Sequence, residues 1–180
     1  MKKSSVLLIT TLLISGCTST SNVNIPGVVT PCDQIRLLGS AEKSAMLPCL
    51  DGSDEINLHQ LKGPLVINVW GSWCEGCKQE MPYFVELYQS QVFKSGQIQM
   101  LGVNVEEKSK EDSIEYIQKS GMSWPNLVDI SGLSKSIFGP GVPVTWFIDK
   151  EGKNVATKIG AYANKQQLFD QFEKAFGVKL

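Results

Sequence analysis

The chain has 180 residues, 42% of them hydrophobic and 8% aromatic, enough for one domain with a substantial core and too apolar for disorder. Lys and Arg number 17 against 18 Asp and Glu, and no basic cluster is dense enough to read as a nucleic-acid surface. Chemistry must therefore be sought in a site rather than in an overall field.

At the N-terminus, Lys2 and Lys3 precede an apolar stretch from Val6 to Ile14, broken by Thr10 and Thr11, and then Ser15, Gly16 and Cys17. The pattern describes a secretory signal, since a membrane span takes about 20 apolar residues. "ISGC" at 14–17 also resembles the lipobox of bacterial lipoproteins, with Cys17 as the acylated residue; an ordinary signal peptide is the plainer alternative. The expected organisation is a lipoprotein signal at 1–16, a lipid-anchored tether rich in Ser, Thr, Asn, Pro and Gly at 17–31, and a domain at 32–180. The expected location is the extracytoplasmic face of the cell membrane.

Further along, "PLVINVW" (64–70) reads as a strand buried on both faces. From Cys74 to Val92, Met81, Val85, Tyr88 and Val92 recur at helical spacing, with a kink expected at Pro82. "QIQMLGVNV" (97–105) reads as a second strand, and 109–121 as an amphipathic helix capped by Ser109 and stopped by Gly121. "VTWFID" (144–149) and "NVATKIG" (154–160) read as an antiparallel hairpin, followed by a helix from Asn164 to Phe176. Strands flanking a helix imply a right-handed crossover and parallel pairing. The order predicts an α/β domain with a central mixed sheet and helices on both faces.

Apart from Cys17, four cysteines remain in a compartment that tolerates disulfides, and 74–77 with 32–49 is the economical pairing. Cys74 and Cys77 open a helix, where unpaired N–H groups and the helix dipole favour a thiolate. Cys74 is placed to attack, and Cys77, one turn inside, to resolve a mixed disulfide. A metal site would need two more soft ligands, and His59, the only histidine, sits in "INLHQL" as a surface-turn residue, so no metal is expected. A copper-chaperone role would likewise need wider cysteine spacing. An inert staple would leave unexplained why the pair opens a helix behind a buried strand. Cys32 and Cys49 lack a helix start or a basic neighbour and are expected to form a structural bond, worth about 3 kcal/mol in the chain-entropy model.

"WGSWCEGCKQEMP" together with "GVPVTWFIDKEG" resembles the thioredoxin-like thiol-disulfide oxidoreductases of the TlpA, ResA and CcmG type, over roughly residues 47–176. Trp73, Cys74, Cys77, Glu80, Pro82, Pro143 and Asp149 stand at that pattern's positions. The resemblance implies a thioredoxin fold, a redox-active disulfide in place of a cofactor, and a cis Val142–Pro143 bond facing the cysteines. Trp73, Val142 and Pro143 would then contact an extended substrate segment. Where thioredoxin carries a buried acid, this chain has Asn68, and Glu80 on the same helical face as Cys77 is the candidate replacement. Glu75 beside Cys74 opposes the thiolate and leans toward a reductant.

The expectation is reduction of disulfides in exported clients, including apocytochromes c, by a monomer fed from a membrane thiol donor. A disulfide-forming oxidase is the first alternative and a non-catalytic binding lipoprotein the second. A peroxidase fits less well, because "WGSWC" lacks the expected Pro and Thr framework.

Overall fold

The computed structural model of the protein describes residues 25–40 and 44–180. The signal segment, the lipobox and Cys17 lie outside the described residues. Residues 25–31, read above as the end of the tether, lie against the domain: Gly27 N–H donates to Gln118 O (3.0 Å), Val28 N–H to Met122 O (2.8 Å), and Thr30 bridges Pro125.

Twelve elements follow in chain order: β1 (Met46–Pro48), β2 (Glu55–Asn57), β3 (Leu65–Trp70), α1 (Glu75–Tyr88), α2 (Gln91–Lys94), β4 (Gln99–Val105), α3 (Lys110–Ser120), β5 (Asn126–Asp129), α4 (Lys135–Phe138), β6 (Val144–Ile148), β7 (Asn154–Ile159) and α5 (Lys165–Phe176). The main sheet has the order β5-β4-β3-β6-β7, with β3, β4 and β5 parallel and β6 and β7 antiparallel. This is the mixed sheet expected, extended by β5, which the sequence reading missed.

Alternation along the central strands divides the core. Val66 and Trp70 of β3 and Met100 of β4 pack with Met81, Phe84 and Leu87 of α1, Ile117 of α3, and Leu168 and Phe172 of α5. Leu65, Ile67 and Val69, with Leu101 and Val103, face the opposite side. There the cover is the β1–β2 hairpin, a 3-10 turn over Leu58–Gln60, and Phe138 of the short α4. The strand reading of 64–70 holds, since every residue of β3 is buried.

Capping behaves as the residue types dictate. Ser109 Oγ accepts from Asp112 N–H and Asn164 Oδ1 from Gln167 N–H, while Gly121 takes φ 84° at the end of α3. The cysteine helix runs through Pro82 without interruption but ends at Tyr88, and a separate short helix follows, so the reading to Val92 joined two elements. Asp149 receives Glu151 and Lys153 N–H in the β6–β7 turn, a structural duty away from the cysteines. His59 is exposed, on the 3-10 turn as expected.

Candidate active site

Parallel β3 and β4 end together at Trp70 and Val105, and the loop after β3 delivers Cys74 to the N-terminus of α1. Cys74 is the N-cap: its Sγ accepts from Cys77 N–H at 3.1 Å, one of the donors a helix start leaves unpaired. The two cysteines are joined, with Cα atoms 5.3 Å apart. Their environments differ. Cys74 is 6% exposed and Cys77 is fully buried. An outer sulfur with a small exposed area and an inner one with none is the asymmetry that sequential thiol exchange requires.

Below the pair lies Glu80, also fully buried. Asn68 Nδ2 donates to Glu80 Oε1 (3.2 Å) and Tyr162 N–H to Oε2 (3.0 Å). Burial pushes its carboxyl up to about 7, against the opposing pull of the Tyr162 N–H, the Asn68 amide and the Lys158 charge. An acid with that affinity exchanges a proton at neutral pH, beside a buried thiol that must gain or lose one. The two residues singled out as departures from thioredoxin, Asn68 and Glu80, are thus direct partners.

The Val142–Pro143 bond is cis. Pro143 faces the cysteine turn, since a Cβ on Gly76 would stand 3.4 Å from Pro143 Cδ and 3.4 Å from Ala161 Cβ. Pro143 O accepts from Gly160 N–H, whereas Val142 has no backbone partner among the described residues. Trp73 is half exposed at the rim and donates from Nε1 to Val105 O (3.2 Å). Gly71 makes room for that indole, as a Cβ there would fall 2.7 Å from Trp73 Nε1.

One residue escaped the sequence reading. Glu107, after β4, accepts from Ser72 N–H, from Ser72 Oγ (2.7 Å) and from Asn104 Nδ2 (2.9 Å), tying down the loop that carries Trp73 and Cys74. No local pattern announces it, because its two Ser72 donors lie on the loop after β3.

Cys32 and Cys49 are also joined, with Cα atoms 6.3 Å apart, and are nearly inaccessible. Among the described residues the one cluster with metal-like spacing is Cys32, Cys49 and Asp51, and its sulfurs are bonded to each other.

The AhpC/TSA family model matches residues 38–157, a stretch that contains both cysteines of the helix and the cis proline. The chain belongs to the AhpC/TSA family. Within this thioredoxin-like family it is similar to thiol-disulfide oxidoreductase ResA of Geobacillus thermodenitrificans, 33% identical over 118 residues, 64% of this chain and 66% of that one. ResA of Bacillus thuringiensis is 30% identical over 131 residues, 72% of this chain and 73% of the relative. StoA from Bacillus subtilis superposes with a TM-score of 0.57 at 23% identity, over 74% of this chain and 98% of that one, a likeness of fold. With its Cys74–Cys77 disulfide, this member of the family is a thiol-disulfide oxidoreductase.

Proposed function

We propose that the protein is a lipid-anchored reductant on the extracytoplasmic face of the membrane, reducing disulfides in exported proteins, apocytochromes c among them. The observation that carries this reading is the stack of groups on one helix face, with Cys74 outermost and slightly exposed and Cys77 and Glu80 fully buried. Cys74 thiolate attacks a client disulfide, forming a mixed disulfide and expelling one client thiolate. Cys77 then gives its proton to the Glu80 carboxylate and attacks Cys74 Sγ. The mixed disulfide breaks, the second client thiolate leaves and takes up a proton, and the Cys74–Cys77 bond is restored. Two electrons have passed to the client, and a membrane dithiol returns two electrons and two protons to the pair.

Client cysteines reach Cys74 in an extended segment that pairs with the Val142 backbone beside Pro143 and rests on the exposed face of Trp73. Glu75 is exposed on the solvent side of α1 and pairs with Lys78 at 3.9 Å. The polarity of the fold supports anchoring through Cys17. Residues 27–30 join the domain at the end of α3 and the start of β5, whereas Cys74 follows the opposite ends of the parallel strands. The described N-terminal segment thus meets the domain at the end of the sheet opposite the cysteines, an arrangement compatible with an anchor on that side.

The test is the reduction potential of Cys74–Cys77, measured by dithiothreitol or glutathione equilibration with Cys32 and Cys49 retained. A value near or below about -270 mV is expected, and one near about -120 mV would reverse the direction to oxidation. Cys17→Ser should release the protein from membranes; retention of that variant would overturn the anchor.

A further inference from the structure

Asn68 sits at the centre of β3, opposite Gly102 of β4 and Thr145 of β6, with no exposed surface. Its amide nitrogen serves Glu80 Oε1, but no donor among the described residues reaches its Oδ1. Buried carbonyl oxygens without a partner are uncommon and call for an explanation. Glu80 presents the complementary problem. As a carboxylate it is well supplied, with donors on both oxygens. As a carboxylic acid it carries an O–H that neither donor can accept. The other groups around it are Lys158 on β7, Tyr116 on α3, the buried Thr145 of β6 opposite Asn68, and Tyr162 itself, whose hydroxyl is engaged with Gln171 and Thr145, while Cys77 lies one turn earlier on α1. None of these supplies an acceptor bonded to Glu80.

From this juxtaposition we infer that Asn68 is a positioning residue working in both directions. Its amide donates to Glu80 when the acid is ionised, and turns about its Cβ–Cγ bond to accept from Oε1–H when the acid is protonated. The inference deepens the proposed function, since it rests on Glu80 taking the proton that Cys77 releases. That proton moves from sulfur to carboxylate oxygen while the Cys77–Cys74 bond forms and the mixed disulfide breaks. The amide turn keeps each protonation state hydrogen-bonded within a site closed to water. An Asp at this position would instead place a second acid beside the first, and the two would titrate as a coupled pair.

The test is NMR of the oxidised full chain across the Glu80 titration. The nuclear Overhauser contact between the Asn68 side-chain amide protons and the Glu80 γ protons should disappear with the same midpoint as the Glu80 carboxyl carbon shift. Persistence of that contact throughout, or a Glu80 that does not titrate, overturns the inference. Neither readout depends on client reduction, so a protein inactive toward disulfides would refute the proposed function while the turn of the Asn68 amide with Glu80 protonation is still scored on its own.

A second arm uses the rate of the resolving step. Asn68→Leu should raise the midpoint of its pH profile by about one unit, a roughly tenfold slower step below the midpoint, because charge-assisted hydrogen bonds are the stronger ones to lose. In Glu80→Gln, adding Asn68→Leu should change the rate no further. Additive losses in the double variant would mean that Asn68 acts by packing alone.

Discussion

Among the described residues there are two disulfides, and both are almost completely buried, yet they sit in unlike surroundings. Cys32–Cys49 spans a sequence separation of 17 and stitches the N-terminal segment to the edge of the sheet, where Cys49 bridges Leu127 of β5 and Leu50 N–H donates to Asn126 O. Cys74–Cys77 spans a separation of 3, caps a helix, and has an acid that titrates near neutrality beneath it. Burial does not distinguish them: Cys32 and Cys49 are 1% and 2% exposed, Cys74 and Cys77 6% and 0%. What differs is access to a helix N-terminus, to a proton acceptor and to an exposed aromatic rim. A disulfide becomes reactive through its neighbours, and stabilising through the length of chain it closes.

The largest effect that would break this comparison comes from removing single sulfurs. Cys74→Ser should abolish disulfide exchange and cost about 2 kcal/mol of stability, less than the longer-range bond, because the closed loop is shorter. Replacing Cys32 and Cys49 together by Ser should leave exchange intact and cost more. Chemical denaturation would show a loss of about 3 kcal/mol, with the Cys74–Cys77 potential unmoved. A shift in that potential would mean that the two bonds are coupled through the sheet.

The next effect concerns the acid that only one disulfide possesses. The folded Glu80 carboxyl lies near 7 and its unfolded value near 4.5, so the folded state holds its proton more tightly. The sign follows from linkage: the unfolded chain binds fewer protons between those values, and stability falls as pH rises from about 4.5 to about 7, then levels off. At about 1.4 kcal/mol per unit, the span amounts to something on the order of 3 kcal/mol. Glu80→Gln should flatten that part of the stability curve when denaturant midpoints are measured from pH 4 to 8. An unaltered slope would place its origin elsewhere.

Much of this comparison could be read before any coordinates. Helix-opening cysteines, the hydrophobic period of α1, the Ser109 and Gly121 boundaries of α3, and the β6–β7 hairpin all rest on local rules, and they appear where those rules put them. The parts that were missed are non-local. β5 has four residues after Trp124-Pro125 and is a strand only because β4 lies beside it. β1 and β2 have three residues each, too short for an alternation to register. Glu80 and Asn68 were visible as residues, but their contact is a product of the β3–α1 packing. The Ser72 contacts of Glu107 depended on the meeting of two loops.

The smallest effect tests that last residue. Glu107 gathers three donors from Ser72 and Asn104, and Asn104 Oδ1 in turn accepts from Ser113 Oγ of α3 (2.6 Å), so the loop ahead of Cys74 is tied through one carboxylate to a buried network. Glu107→Ala leaves the Ser72 N–H and hydroxyl to water at about 1 kcal/mol or less each, but it also leaves the buried Asn104 amide without its partner, at about 1–3 kcal/mol. The global unfolding midpoint should therefore fall modestly. Trp73, which depends on the same loop for its seat over Gly71, should gain mobility, seen as a drop in its fluorescence anisotropy. The rate constant for reducing a client disulfide should fall a few-fold, with the Cys74–Cys77 potential unchanged, because the loop sets the approach to the sulfur and not the stability of the bond. A fall in potential of the same size as the fall in rate would instead make Glu107 part of the electrostatics of the pair.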